Sequence, residues 1–172
     1  MKVVLSVATS LNGIIATEDG SEDFLSHENW LAFVKLAQKI GNNIWGRKTY
    51  QTVKNWPKEY FNSLNSVVKV IISTDESLEL LPGFTRVSSP QEAIGYLSSQ
   101  GFKEALVTGG STIYSSFLRE NLVDEIIVDV NPTILGKGIA AFDFEGSIVR
   151  MKPIKVKKLK DGIMEIYYKV LK

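Results

Sequence analysis

Residues 2–9 (KVVLSVAT) form a nearly unbroken run of apolar and β-branched positions, the pattern of a central strand buried on both faces. Residues 12–22 (NGIIATEDGSE) have turn residues at both ends and read as a loop carrying a short apolar insert, Ile14-Ile15-Ala16. The period then changes. Trp30, Phe33, Val34, Ala37 and Ile40 recur at helical spacing, which predicts a helix over 27–40. Ser26 is placed to cap its start and Gly41 to stop it.

Asn43-Ile44-Trp45 predicts a short strand, Gly46–Thr49 a turn into a helix near 48–54, and Pro57 the end of that region. Val67–Ser73 (VVKVIIS) is a second buried strand and Phe84–Val87 a short one. Pro90 opens a helix over about 90–100, with Gly101 after its end. Ala105–Thr108 is a strand, Gly109-Gly110 a tight turn, Ser111–Glu120 a helix and Val123–Val130 a strand. Two late strands, about 153–160 and 163–171, flank Asp161-Gly162, a hairpin signal. Strands alternating with helices predict an α/β fold with a mostly parallel central sheet, and the final hairpin predicts an antiparallel edge. No linker, repeat or low-complexity stretch interrupts the pattern, so one domain is expected over 1–172.

Composition narrows the function classes. Apolar residues make up 44% and charged residues 23%, with a net charge of +1, so bulk charge favours neither nucleic acid nor membrane. The late lysines (Lys152, Lys155, Lys157, Lys158, Lys160) alternate with strand-forming residues and read as a solvated strand face. The absence of Cys excludes disulfides, thiolate metal sites and a Cys nucleophile, and no metal site is expected. The apolar run at the start is too short for a signal peptide and no later run approaches spanning length, so a cytoplasmic location is expected.

Two segments share one logic of strand, glycine and helix: Ile44-Trp45-Gly46-Arg47-Lys48-Thr49, and Leu106 to Tyr114 through Thr108-Gly109-Gly110-Ser111-Thr112. A helix start offers free N–H groups and the positive end of its dipole to a phosphate, and glycine lets the backbone come close. Arg47 and Lys48 add charge to the first. Neither matches a dinucleotide or P-loop fingerprint, and a plain tight turn explains either one taken alone. Both lie at carboxyl ends of strands, where open α/β sheets bind ligands.

These residues carry a resemblance. GRKTYQTV (46–53), VIISTD (70–75) and VTGGSTIYSSFL (107–118) resemble ordered motifs of the dihydrofolate-reductase-like superfamily. SVATSLNGIIA (6–16) and VDEIIVDVNPTILGKGIAAF (123–142) resemble its riboflavin-biosynthesis reductase branch. The resemblance implies a three-layer fold and a pyridine-nucleotide-dependent reductase, with NADPH as cofactor and a pterin or a riboflavin-pathway pyrimidine as substrate. It implies phosphate contacts from Gly46, Arg47, Lys48 and Thr49, a 2′-phosphate site at Arg47, Ser73 and Thr74, and a pyrophosphate cradle at Gly109, Gly110, Ser111 and Thr112. Asp75 argues against a 2′-phosphate there. Ala8, Ile15 and Ala16 would meet the nicotinamide. A homodimer is expected on the same ground.

The substrate side is less marked. Dihydrofolate reductases carry a carboxylate on the first long helix, and counting motifs places that position near Asn29 or Trp30. Glu28 is the nearest acid and Asp23 the second candidate; Glu28 also fits as a solvated helix-start acid. His27, the only histidine, fits a general acid or an exposed helix start. Trp30 and Trp45 fit core packing or a substrate platform. The alternative reading is a non-catalytic nucleotide-binding or stress-related protein that keeps the cofactor fold.

Overall fold

The computed structural model describes residues 1–146 and 148–172. The apolar run at the start forms β1 (Lys2–Ser10), which lies inside an eight-stranded sheet. Parallel strands extend from it on one side: β6 (Glu104–Val107), β3 (Asn42–Gly46), β4 (Val68–Ile72) and β5 (Phe84–Val87). On the other side β7 (Glu125–Asn131) is parallel to β1, and β10 (Met164–Leu171) and β9 (Arg150–Lys158) follow antiparallel. The mostly parallel sheet with an antiparallel C-terminal edge is the architecture expected from the alternation of elements. Strand β9 is the open edge, which is why Pro153 is tolerated within it.

Helices cover both faces. Side chains of β1 point alternately to the two, so Val3, Leu5 and Val7 pack with α4 (Pro90–Ser99) and α5 (Ser111–Arg119), while Val4 joins the layer under α1 (His27–Ile40) and α2 (Arg47–Val53). Leu5, Ile44, Val70, Leu97, Leu106 and Phe117 are fully enclosed. Each such side chain contributes roughly 1.5–3 kcal/mol by leaving water.

The cap of α1 forms as its sequence dictates. Ser26 Oγ accepts from Glu28 N, Asn29 Oδ1 accepts from Ser26 N at 3.1 Å, and Gly41 ends the helix at φ 85°. Four expectations change. The apolar insert of the 12–22 loop is a strand, β2 (Ile14–Thr17), because β8 (Gly138–Ala140) arrives from far along the chain to pair with it. Pro57 does not close its region but caps a short helix, α3 (Lys58–Asn62). Helix α2 starts directly at Arg47 with no intervening turn, and the Asp161-Gly162 hairpin is a three-residue 3₁₀ turn, Lys160–Gly162. Among the described residues no helix is long and apolar enough to cross a membrane.

Candidate active site

Strands β3, β4 and β6 end on one side of the sheet, at Gly46, Ile72 and Val107, and these ends, with Ser73, Thr108 and Ala8 of β1, border a cleft of about 1410 Å³. That exceeds the roughly 300–1,000 Å³ of a pocket for one small molecule and gives room for two.

The two glycine junctions, some sixty residues apart in sequence, are stitched together in space. Thr108 N donates to Ile44 O at 3.1 Å, and Gly46 N donates to Gly109 O at 2.7 Å. A Cβ on Gly46 would come to 2.5 Å from Ile113 Cγ1, and one on Gly110 to 3.1 Å from Thr49 Oγ1. Gly109 holds φ 149°, a conformation that side-chain-bearing residues avoid. Neither α2 nor α5 has a side-chain cap on its first N–H groups, in contrast to α1 and α4, whose serines Ser26 and Ser89 supply one. Donors left free at the mouth of a cleft await an anion or water.

Every residue assigned to the cofactor lines this cleft: Ala8, Ile15 and Ala16 at one end, Gly46 to Thr49 and Gly109 to Thr112 in the middle, Ser73 and Thr74 beyond them. Asp75 does not project freely toward this far end. Its carboxylate accepts from Ser77 N and Ser77 Oγ, at 3.0 and 2.6 Å, and these bonds, helped by the charges of Arg47 and Arg86, hold it below the usual carboxylate range. Arg86, which the sequence reading passed over, also donates to Ser73 O.

The opposite end of the cleft is made of side chains from distant elements. Asp23 lines its rim and is exposed. Glu28 does not line it, and neither does His27; Asn29 does, one residue further round α1. Asn29 is 5% exposed and faces β7, where Asp129 is 7% exposed. Across the β7–β10 ladder Asp129 stands opposite Glu165, 8% exposed. Glu165 accepts from Lys157 Nζ at 2.5 Å and from Tyr167 Oη at 2.6 Å. Asp129 has only the Asn29 amide beside it. Burial first, and the Glu165 charge second, push its carboxyl up to about 7; the nearby Asn29 amide and Lys157 ammonium oppose this only in part.

An aromatic wall completes this end. Trp30 packs against Phe33, Trp56 and Tyr60 with ring centroids 4.8–5.5 Å apart, and Trp45, 3% exposed, lies between Phe33 and Phe84. Trp45 is thus core and cleft wall at once. Beneath the glycines Tyr114 is fully enclosed, donates to Ser6 O at 2.9 Å, and is held neutral by burial.

Motif counting points to Asn29 as a position, with the neighbouring acid Glu28 preferred; Asp129 and Glu165 were missed from sequence. One signal was available: an Asp inside the otherwise apolar strand IIVDV, where an unpaired carboxylate is costly.

Comparison with known proteins agrees with this architecture. The family model of the RibD C-terminal domain matches residues 1–164. The uncharacterized protein YwjB of Bacillus subtilis is 30% identical over 145 residues, 82% of each chain. A 2,5-diamino-6-ribosylamino-4(3H)-pyrimidinone 5′-phosphate reductase of Archaeoglobus fulgidus is 25% identical over 108 residues, 62% of this chain and 45% of that protein. Among solved structures, a Shewanella sp. PV-4 protein assigned to riboflavin biosynthesis superposes over the full length of both chains with a TM-score of 0.80 at 25% identity. The reductase–deaminase of Thermotoga maritima shares the fold over 56% of its length, with a TM-score of 0.78 at 17% identity. The chain belongs to the RibD C-terminal domain family, within the dihydrofolate-reductase-like superfamily.

Proposed function

We propose that the protein is an NADPH-dependent reductase of a small heterocycle, a riboflavin-pathway pyrimidine or a pterin, acting in the cytoplasm. One observation carries this: two uncapped helix starts, locked together through Gly46 and Gly109, open into the same cleft as a compartment walled by aromatics and carboxyls. The archaeal relative named as a pyrimidinone phosphate reductase supports the same class.

The residues fit a dinucleotide. A Cβ on Gly46, Gly109 or Gly110 would press on Ile113 or Thr49, so the glycines let the two junctions pack closely, and the free N–H groups of α5 with Ser111 and Thr112 suit a pyrophosphate. Arg47, Lys48 and Thr49 add charge and a hydroxyl. Arg47 and Arg86, beside Ser73 and Thr74, suit a 2′-phosphate, since their two positive charges outweigh the single Asp75 carboxylate that Ser77 holds. Ala8, Ile15 and Ala16 bound the nicotinamide position. When bound, the reduced nicotinamide supplies a hydride, and a proton completes its addition to a C=N or C=O bond. The chain's own part is to hold the flat ring between the aromatic wall and the sheet and to keep water out. Asp23, on the rim, is the acid placed to meet substrate groups that extend from the ring; the same role is open to Glu28 only by a change of α1 geometry.

A homodimer belongs to the same proposal. Strand β9 leaves the sheet open and exposes Met151, Ile154 and Val156, a combination that invites pairing with a second chain. Size-exclusion chromatography with light scattering is expected to give twice the mass of one chain.

The central test is NADPH binding followed by NADPH oxidation with the pyrimidinone phosphate named for the archaeal relative. Binding with turnover is expected. Binding without turnover on any pterin or pyrimidine favours the non-catalytic alternative, and failure to bind either NADPH or NADH removes both readings.

A further inference from the structure

The charged side chains of the cleft are sorted by end. Arg47 and Lys48, at the start of α2 beside the glycine junctions, are the only Lys or Arg side chains among the described residues that line it. The carboxylates gather at the other end. Glu18, Asp19, Glu22 and Asp23 follow one another in the segment that links β2, beside the nicotinamide position, to α1, and all four line the cleft. None of them pairs with a Lys, Arg or His among the described residues. Two enclosed groups register the resulting field. Burial first and the Glu22 charge second push the Tyr114 hydroxyl up, and the Glu165 charge adds to burial at Asp129. Glu165 is answered by Lys157 at 2.5 Å, so the uncompensated charge is that of the linking segment.

The wall between the two ends is apolar. Helices α1, α2 and α3 give it Trp30, Phe33, Leu36, Val53, Trp56 and Tyr60. The lysines of these helices and their ends, Lys35, Lys39, Lys54 and Lys58, are exposed and line no part of it. A phosphate gives up its water only to cations and strong hydrogen-bond donors. Once the phosphates of a dinucleotide occupy Arg47, Lys48 and the uncapped helix starts, the cleft has no cation left for a second phosphate, and Lys157 is held by Glu165 and Tyr167.

We propose that this cleft takes an unphosphorylated heterocycle, neutral or cationic, and discriminates against substrates that carry a phosphate or carboxylate. The inference deepens the reductase reading and rests on it for the occupation of Arg47 and Lys48 by the cofactor. It sets the chain apart from the archaeal relative, whose name specifies a 5′-phosphate. The aromatic wall suits the uncharged face of a flat ring and, where the ring is protonated, its positive charge as well. Glu18, Asp19, Glu22 and Asp23 select by repulsion, which is long-ranged and weakens with salt.

The test compares 2,5-diamino-6-ribosylamino-4(3H)-pyrimidinone with its 5′-phosphate, and 6-hydroxymethylpterin with pterin-6-carboxylate. Each is titrated into the whole protein saturated with NADPH and followed by quenching of tryptophan emission. The uncharged member of each pair is expected to bind roughly tenfold or more tightly than the anionic one. Turnover of the phosphate, which the reductase reading expects, should then persist with a KM raised over that of the riboside by about the same factor. Glu18→Gln combined with Glu22→Gln, both on the exposed rim, should improve the anionic members roughly threefold at low salt and leave the uncharged ones within about twofold. High salt should narrow the wild-type preference in the same direction. Anionic members that bind as tightly as their partners, or more tightly, would overturn the proposal, and loss of that affinity in Lys48→Ala would place the phosphate on Lys48. A preference unmoved both by the two substitutions and by salt would overturn it as well. Failure to bind NADPH would sink the reductase reading, whereas NADPH binding with no affinity for any of the four compounds would overturn this proposal.

Discussion

At the proposed nucleotide end of the cleft the chain presents mostly backbone, from two strand–glycine–helix junctions that bond to each other through Gly46 N and Gly109 O. At the proposed substrate end it presents side chains, Asn29, Asp129 and Glu165, delivered by α1, β7 and β10. The first end is built locally, so a few consecutive residues decide it. The second depends on how three remote elements register against one another. A common cofactor calls for a site indifferent to most side chains, whereas the selection of a substrate is concentrated in a few of them.

The largest expected effect comes from breaking the backbone end. Gly109→Val puts a branched side chain on a residue at φ 149°, with its Cβ 3.3 Å from Thr49 Oγ1. NADPH binding, followed by fluorescence, should fall by roughly a thousandfold or more as the pyrophosphate cradle closes, while the far-ultraviolet circular dichroism keeps its native shape. Unimpaired binding would move the pyrophosphate elsewhere.

Breaking the side-chain end should change stability in a pH-dependent way. Asp129 has an ordinary value of 3.8 and is pushed up to about 7 in the fold. Between these limits the folded chain keeps a proton that the unfolded chain has released, so the wild type loses stability as pH rises from about 4 to about 7. Asn at this position has no proton to lose. Asp129→Asn should therefore be more stable than wild type at pH 8, by up to about 4 kcal/mol, with the advantage gone at pH 4. Thermal melts across this range check it; a constant difference would show that Asp129 is ionised in the fold throughout.

A smaller effect tests the charge within the backbone end. Arg47→Ala should weaken NADPH by roughly 1.5–3 kcal/mol, the worth of a charge-assisted bond, and NADH by much less. Equal losses would assign Arg47 to a phosphate common to both cofactors and leave Arg86 as the remaining cation beside Ser73.

The comparison also explains what was legible. Helix α1 is written in the sequence from cap to stop because Ser26, Asn29 and Gly41 act within one helix. Strand β2 was not, because Ile14–Thr17 becomes a strand only when β8 reaches it. The glycine junctions could be read one at a time, but not the hydrogen bond that joins them. Asp129 was visible only as a charge in an apolar strand, and its partners Asn29 and Glu165 come from a helix a hundred residues earlier and a strand near the end of the chain. Periodicity does not register such pairings; they exist only in the strand order.

The smallest expected effect separates two neighbours on α1. The search for a substrate carboxylate from sequence led to Glu28, yet one step along a helix turns a side chain by about 100°, and here it is Asn29 that faces the sheet. Glu28 sits in the first turn, where its charge meets the positive end of the helix dipole and its backbone N–H, not its carboxylate, binds Ser26. Glu28→Gln should therefore cost only about 0.3–1 kcal/mol of stability, and pterin affinity and turnover should stay within about twofold of wild type, as for a surface change. Asn29→Asp, one position on, retains the cap but turns a carboxyl into the cleft beside Asp129, and should change pterin affinity roughly tenfold. If Glu28→Gln abolished turnover while Asn29→Asp spared pterin binding, the ring would have to enter past the start of α1 rather than against β7, and the side-chain end of the cleft would shift from Asp129 toward Asp23 and Glu28.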